Sequence, residues 1–104
     1  MKYLKTFENL NIVPEVGDYI IANSKYASSK LQKFFLTNIG EIINISMGEG
    51  NKLLYNTDYD PDMVESAGVI LDDNTWFFIT TEILHISKNK EDLESILQAN
   101  KYNL

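Results

Sequence analysis

The acidic residues are the first place to look for chemistry in this chain. Asp58-x-Asp60-x-Asp62 opens with the alternating carboxylates of a calcium-binding loop. The rest of such a loop is missing. Met63 stands where the sharp-turn glycine belongs, Val69 where the bidentate acid belongs, and Pro61 stiffens the backbone between the carboxylates. The same spacing describes a solvated acidic turn, and no metal site is expected. Asp72-Asp73, followed by Asn74, has the makings of a turn before those of a paired general acid and base. His85 is the single histidine and lies between Leu84 and Ile86, with no nucleophile or second metal ligand spaced near it. Cysteine is absent, so disulfides, thiolate metal ligands and cysteine nucleophiles are excluded. Gly48-x-Gly50 is a hairpin turn, not a phosphate-cradling loop, and no longer glycine motif follows it. The expectation is a protein with no catalytic residues and no cofactor, not an enzyme.

Binding chemistry is better represented. Trp76-Phe77-Phe78 is the densest aromatic run, and on a strand its alternate side chains point to opposite faces. One face must be core, which leaves the other for core or for a partner. A candidate binding surface therefore combines Tyr55, Tyr59 and Trp76 with the acids Asp58, Asp60, Asp62, Asp72 and Asp73. An alternative ligand site uses Lys25, Lys30 and Lys33 as phosphate contacts, with Phe34 stacking on a base.

Charge favours the first of these. The formal net charge is −6 over 104 residues, and all nine basic residues are lysine. Residues 1–52 carry six lysines and five acids; residues 53–87 carry seven acids and no lysine; residues 88–104 carry three of each. The regional charges of +1, −7 and 0 sum to −6, so the excess sits in one segment. A nucleic-acid binder shows the opposite sign, and bidentate arginine clamps on phosphate are impossible here. No direct nucleic-acid binding is expected. No run approaches the ~18 apolar residues of a membrane span, and the N-terminal stretch, broken by Lys2, Lys5 and Glu8, lacks the apolar core of a signal peptide. A cytoplasmic location in a host cell is the expectation.

The elements that must position these residues read as one domain, 1–104. Residues 1–13 form an N-terminal arm or short helix, since Tyr3, Leu4, Phe7 and Leu10 have near-helical spacing. A first strand runs from Val16 to Ala22. Ser29 and Gln32 have capping-box spacing ahead of a short helix carrying Leu31, Phe34 and Phe35, which ends near Gly40. Glu41 to Met47 and Lys52 to Thr57 pair across the turn Gly48-Glu49-Gly50-Asn51, with Ile43, Ile45 and Met47 on one face. Asp60-Pro61 caps a helical turn that Gly68 stops. Val69 to Leu71 is a short strand, Thr75 to Ile79 a strand with apolar neighbours on both faces, Thr80 to Glu82 a tight turn, and Leu84 to Ile86 a last strand. Ser87 or Asn89 caps a terminal helix from Lys90 to Asn100, whose face Leu93, Ile96 and Leu97 docks with help from Tyr102 and Leu104.

Val16-Gly17-Asp18-Tyr19, then Ile39-Gly40-Glu41-Ile42-Ile43, a hairpin, an apolar strand, a tight turn and Ile83 to Ile86 resemble SH3-like barrels of the KOW and Mind-bomb kind over about residues 14–87. The resemblance implies a mainly β fold: a small five-stranded barrel, with the C-terminal helix of 88–104 packed on it. Ser87 to Glu94, Asn100 to Leu104, Gly17-Asp18-Tyr19 and Asn38-Ile39-Gly40 are similar to small phage and viral proteins without an established activity. Heavy use of asparagine, isoleucine and lysine fits an A/T-rich genome. The functional expectation is a non-enzymatic protein-interaction module, of the kind a phage or mobile element encodes as an inhibitor, engaging a host or phage protein through an acidic surface. The alternative is an oligomer that binds or sequesters a nucleotide-like ligand.

Overall fold

The computed structural model describes residues 13–102. The expected N-terminal arm lies outside them, as do the side-chain contacts expected of Tyr102 and Leu104. Five antiparallel strands form one sheet in the order β4-β3-β2-β1-β5: β1 Tyr19–Ala22, β2 Gly40–Met47, β3 Leu53–Asp58, β4 Thr75–Ile79 and β5 Ile83–Ser87. Three α-helices accompany them among the described residues: α1 Ser29–Thr37, α2 Pro61–Ala67 and α3 Lys90–Tyr102. The fold is a mixture of strand and helix, and the sheet is not closed as the expected barrel. The two edge strands, β4 and β5, are consecutive in the chain, but the short 3₁₀ turn Thr80–Glu82 joins them without a ladder between them. Glu82 explains part of this: its carboxylate accepts the outward N–H of Ile79 (2.9 Å), a bond that a closing ladder would have used, while its carbonyl accepts from Asn23 (3.0 Å) and continues the β1–β5 pairing.

The first strand is shorter than Val16 to Ala22. Gly17, at φ 98°, lies in a turn in which the Asp18 N–H donates to the Glu15 carbonyl (3.0 Å). That positive φ favours glycine there. β1 then contributes Ile20 and Ala22 to the main core. α1 begins one residue earlier than a Ser29 cap would place it, because Ser28 accepts from the Leu31 N–H (3.2 Å). Gln32 does not close a box with Ser29; its amide donates to the Ala27 carbonyl (2.8 Å). Leu31, Phe34 and Phe35, at helical spacing, are buried on the sheet. Phe35 is the hub of the core. Its ring centroid lies 5.0 Å from that of Phe78, 5.3 Å from Trp76 and 5.5 Å from Tyr59, the spacing of tilted and edge-on aromatic pairs.

The β2–β3 hairpin forms where expected, turning through Glu49–Asn51. Its facing differs from simple alternation. The register jumps from Ile42↔Thr57 to Asn44↔Asn56, a bulge that leaves Ile43 without a partner. One extra residue flips every later side chain, so Ile42 and Ile45 both reach the core while Ile43 is exposed; Met47 shares the face of Ile45 but lies at the exposed end of the strand. α2 follows the sequence closely: Asp60 accepts from the Asp62 N–H (2.9 Å), Pro61 opens the helix, and Gly68 ends it at φ 70°.

Residues 69–71 are not a strand. Only Asp72 bridges to Thr75, across a turn whose central residues Asp73 and Asn74 have φ 52° and 62°, as in a type I′ turn. β4 is flanked by apolar neighbours on one face only, since Phe78 is fully buried and Phe77 is exposed. α3 packs over β5 and β1. Leu93 is fully buried, and so nearly is Ile21, whose side chain lies opposite Ile20 and outside the main core. The helix therefore covers the sheet face opposite α1. No helix among the described residues is long and apolar enough to cross a membrane.

Candidate functional site

β4 is an edge strand, and its pairing dictates what that edge offers. The β3–β4 register runs from Leu54↔Ile79 to Asp58↔Thr75, and one step beyond it the Tyr59 N–H donates to the Asn74 carbonyl (2.9 Å). Hydrogen-bonded pairs alternate along an antiparallel ladder. Asn74, Trp76 and Phe78 thus direct their backbone groups toward β3, and Thr75, Phe77 and Ile79 direct theirs away from it. The outward N–H groups at both ends are taken, Thr75 by the Asp72 carbonyl (2.9 Å) and Ile79 by Glu82. Among the described residues, the peptide groups of Phe77 remain as an unpaired donor and acceptor at the centre of the edge.

An open groove of about 630 Å³ runs beside that edge. Trp76 and Phe77 both line it. They belong to opposite faces of β4, which places the groove along the strand's edge. Ile70 to Asp73, Ser24, Tyr26 and Glu82 line it as well. Among the described residues the lining is aromatic and aliphatic with three carboxylates, Asp72, Asp73 and Glu82, and no lysine. Asn56 lines it too, and its buried Oδ1 meets no hydrogen-bond donor among the described residues.

Of the residues expected to bind, Trp76, Asp72 and Asp73 come together here. Tyr55 and Tyr59 do not reach the surface: both are buried in the core. The Tyr55 hydroxyl accepts from Thr80 (3.4 Å). The Tyr59 ring is packed against Phe34 and Phe35, its hydroxyl meets no partner among the described residues, and burial pushes its pKa far above the ordinary phenol value. Asp58 ends β3 beside Thr75, Asp60 caps α2, and Asp62 lies in the first turn of that helix. None of these three lines the groove. Among the described residues no group of three or more acids, histidines or cysteines is placed to hold a metal ion.

The alternative ligand site is dispersed. Phe34 is buried and offers no face to a base. Lys25 lies over the Tyr26 ring, 5.4 Å from its centroid. The Lys30 ammonium sits over Gly68, at the C-terminus of α2, where a cation is favoured. Lys33 is exposed on α1.

Sequence reasoning missed Tyr26, Ile70 and Glu82. Two of them carried a signal: Tyr26 is the one aromatic in a loop of small polar residues, and Ile70 is an aliphatic residue in a segment that had to be either strand or exposed loop. It is exposed loop, with 92% of its surface open. Nothing local marks Glu82, which joins the groove only because the 3₁₀ turn folds back on Ile79. Compared with protein-family models, curated proteins and solved structures, the chain matches none of them.

Proposed function

We propose that this domain is a non-enzymatic protein-interaction module that engages a positively charged protein surface through the acidic half of its sheet. The observation that carries this reading is the β4 groove, where Tyr26, Trp76 and Phe77 lie among Asp72, Asp73 and Glu82. Aromatic anchors ringed by charge of one sign are the composition of a recognition surface. The wider charge pattern supports it, since residues 53–87 carry seven acids and no lysine. The strand order β4-β3-β2-β1-β5, with a 3₁₀ turn between the two edge strands, also supports an SH3-like layout for the module. A domain of this charge suits an inhibitor that occupies a basic surface on its target, including one that otherwise holds nucleic acid.

The test is a displayed peptide library panned against the domain at about 50 mM and about 500 mM salt, concentrations that lengthen and shorten the reach of surface charge. Lysine- and arginine-bearing segments are expected to be enriched at low salt and lost at high salt. Enrichment of neutral or acidic segments, or enrichment indifferent to salt, overturns the reading.

A further inference from the structure

We infer that the free edge of β4, centred on Phe77, takes an extended lysine- or arginine-bearing segment of a partner protein by strand addition. This rests on the interaction-module reading and specifies its partner. An exposed strand edge is a template for another strand, because its unpaired N–H and C=O groups are satisfied by a ladder. Here the template is short and framed. Asp72 and Glu82 close the two ends by taking the N–H groups of Thr75 and Ile79, and between them the Phe77 peptide groups meet no partner among the described residues. An added residue opposite Phe77 exchanges two backbone hydrogen bonds with it.

The groove gives such a strand somewhere to put its side chains. Successive residues of an extended segment point to opposite faces, and the groove has lining on both faces of β4, with Trp76 on the core side and Phe77 on the other. Charge selects the occupant. The groove's carboxylates are Asp72, Asp73 and Glu82, and none of them is paired with a lysine among the described residues. An acidic or neutral strand gains nothing from them, whereas a cationic side chain finds one at either end. Asn56 adds a buried acceptor that still needs a donor. A second copy of this chain is a poor fit, because two such edges face each other with like charge.

The experiment uses the full chain and a synthetic probe, the acetylated and amidated pentapeptide Val-Lys-Val-Lys-Val. The chain has one tryptophan, so Trp76 fluorescence follows binding, and amide chemical shifts locate it. The expected result is a titratable fluorescence change with the largest shift at the Phe77 amide. Binding should be abolished when every peptide nitrogen of the probe is methylated, which removes the donors a ladder needs. It should weaken about fivefold in the double variant Asp72→Asn/Asp73→Asn, the scale of two exposed charge pairs. Undiminished binding of the methylated probe, or shifts centred on Asp58 to Asp62, overturns strand addition at β4 and leaves the acidic-surface reading standing. No binding of this probe or of oligolysine removes both. Concentration-dependent movement of the Phe77 amide in the protein alone shows that the edge pairs with a second copy, and overturns the proposed occupant.

Discussion

Asp18 is almost lost from solvent, yet its carboxylate is fully engaged. One oxygen accepts from the Glu15 N–H (2.9 Å) and the other from the Lys88 ammonium (2.7 Å), which also donates to Glu15 (2.6 Å). The turn before β1 is thereby tied to the residue just after β5, seventy positions away. The hydrogen bond to Asp18, more than any other cause, raises the Lys88 pKa above its ordinary value. Removing the carboxylate by Asp18→Ala takes the acceptor from the Glu15 N–H and cuts the turn's direct tie to Lys88, whose exposed ammonium keeps Glu15 and water. We expect a loss of about 1–3 kcal/mol, the usual scale for a buried hydrogen bond to a charged group, read by urea denaturation. His85 makes the opposite kind of contribution. Burial lowers its pKa below the ordinary 6.5, and its buried Nδ1 meets no partner among the described residues. The unfolded chain then binds the proton more readily than the fold does, so stability is full above about pH 6.5 and declines as pH falls through the lowered folded value. Thermal unfolding from pH 7 toward pH 5.5 should show this decline, and His85→Gln should flatten it.

At the scale of elements, the limits of α2 and the β2–β3 turn were the most legible part of the chain, whereas the cap of α1 fell on Ser28 and not on the expected Ser29. Asp60-Pro61 and Gly68 bracket α2 as their chemistry dictates, because a cap needs only its own neighbours. The limits of β4 are equally local. What escaped was set by tertiary contact. No residue type announces the bulge at Ile43; it lets Ile42 and Ile45 both reach the core. Alternation read along β2 therefore put Ile43 and Ile45 on one face, and the bulge separates them. Tyr55 and Tyr59 look amphipathic in sequence, and only the arrival of α1 on the sheet turns them into core. Gly40 has the same origin. A Cβ there would lie 2.9 Å from Tyr59 Cζ and against the Thr57 methyl, so Gly40→Ala drives a side chain into a packed ring. Overpacking of this kind costs about 1–3 kcal/mol. The expected outcome is a lower urea midpoint with an unchanged denaturant slope, and a neutral result would mean that Tyr59 is free to move.

Across the whole molecule, the acidic segment and the fold converge on one place. Residues 53–87 contribute β3, α2, β4 and most of the groove walls, so the charge asymmetry legible in the sequence becomes a surface beside an open sheet edge. The groove itself was not legible, since it joins the loop around Tyr26, the segment Ile70 to Asp73 and the turn at Glu82, which are distant in the chain. The expected barrel would have hidden the edge; the open sheet exposes it. Strand addition at β4 requires that edge to be free at Phe77, and amide hydrogen exchange followed residue by residue tests this most directly. The prediction is rapid exchange at Phe77, flanked by slow exchange at Trp76 and Phe78, whose N–H groups are paired into β3. Protection of Phe77 comparable to its neighbours would mean that the edge is already satisfied, and would contradict the account.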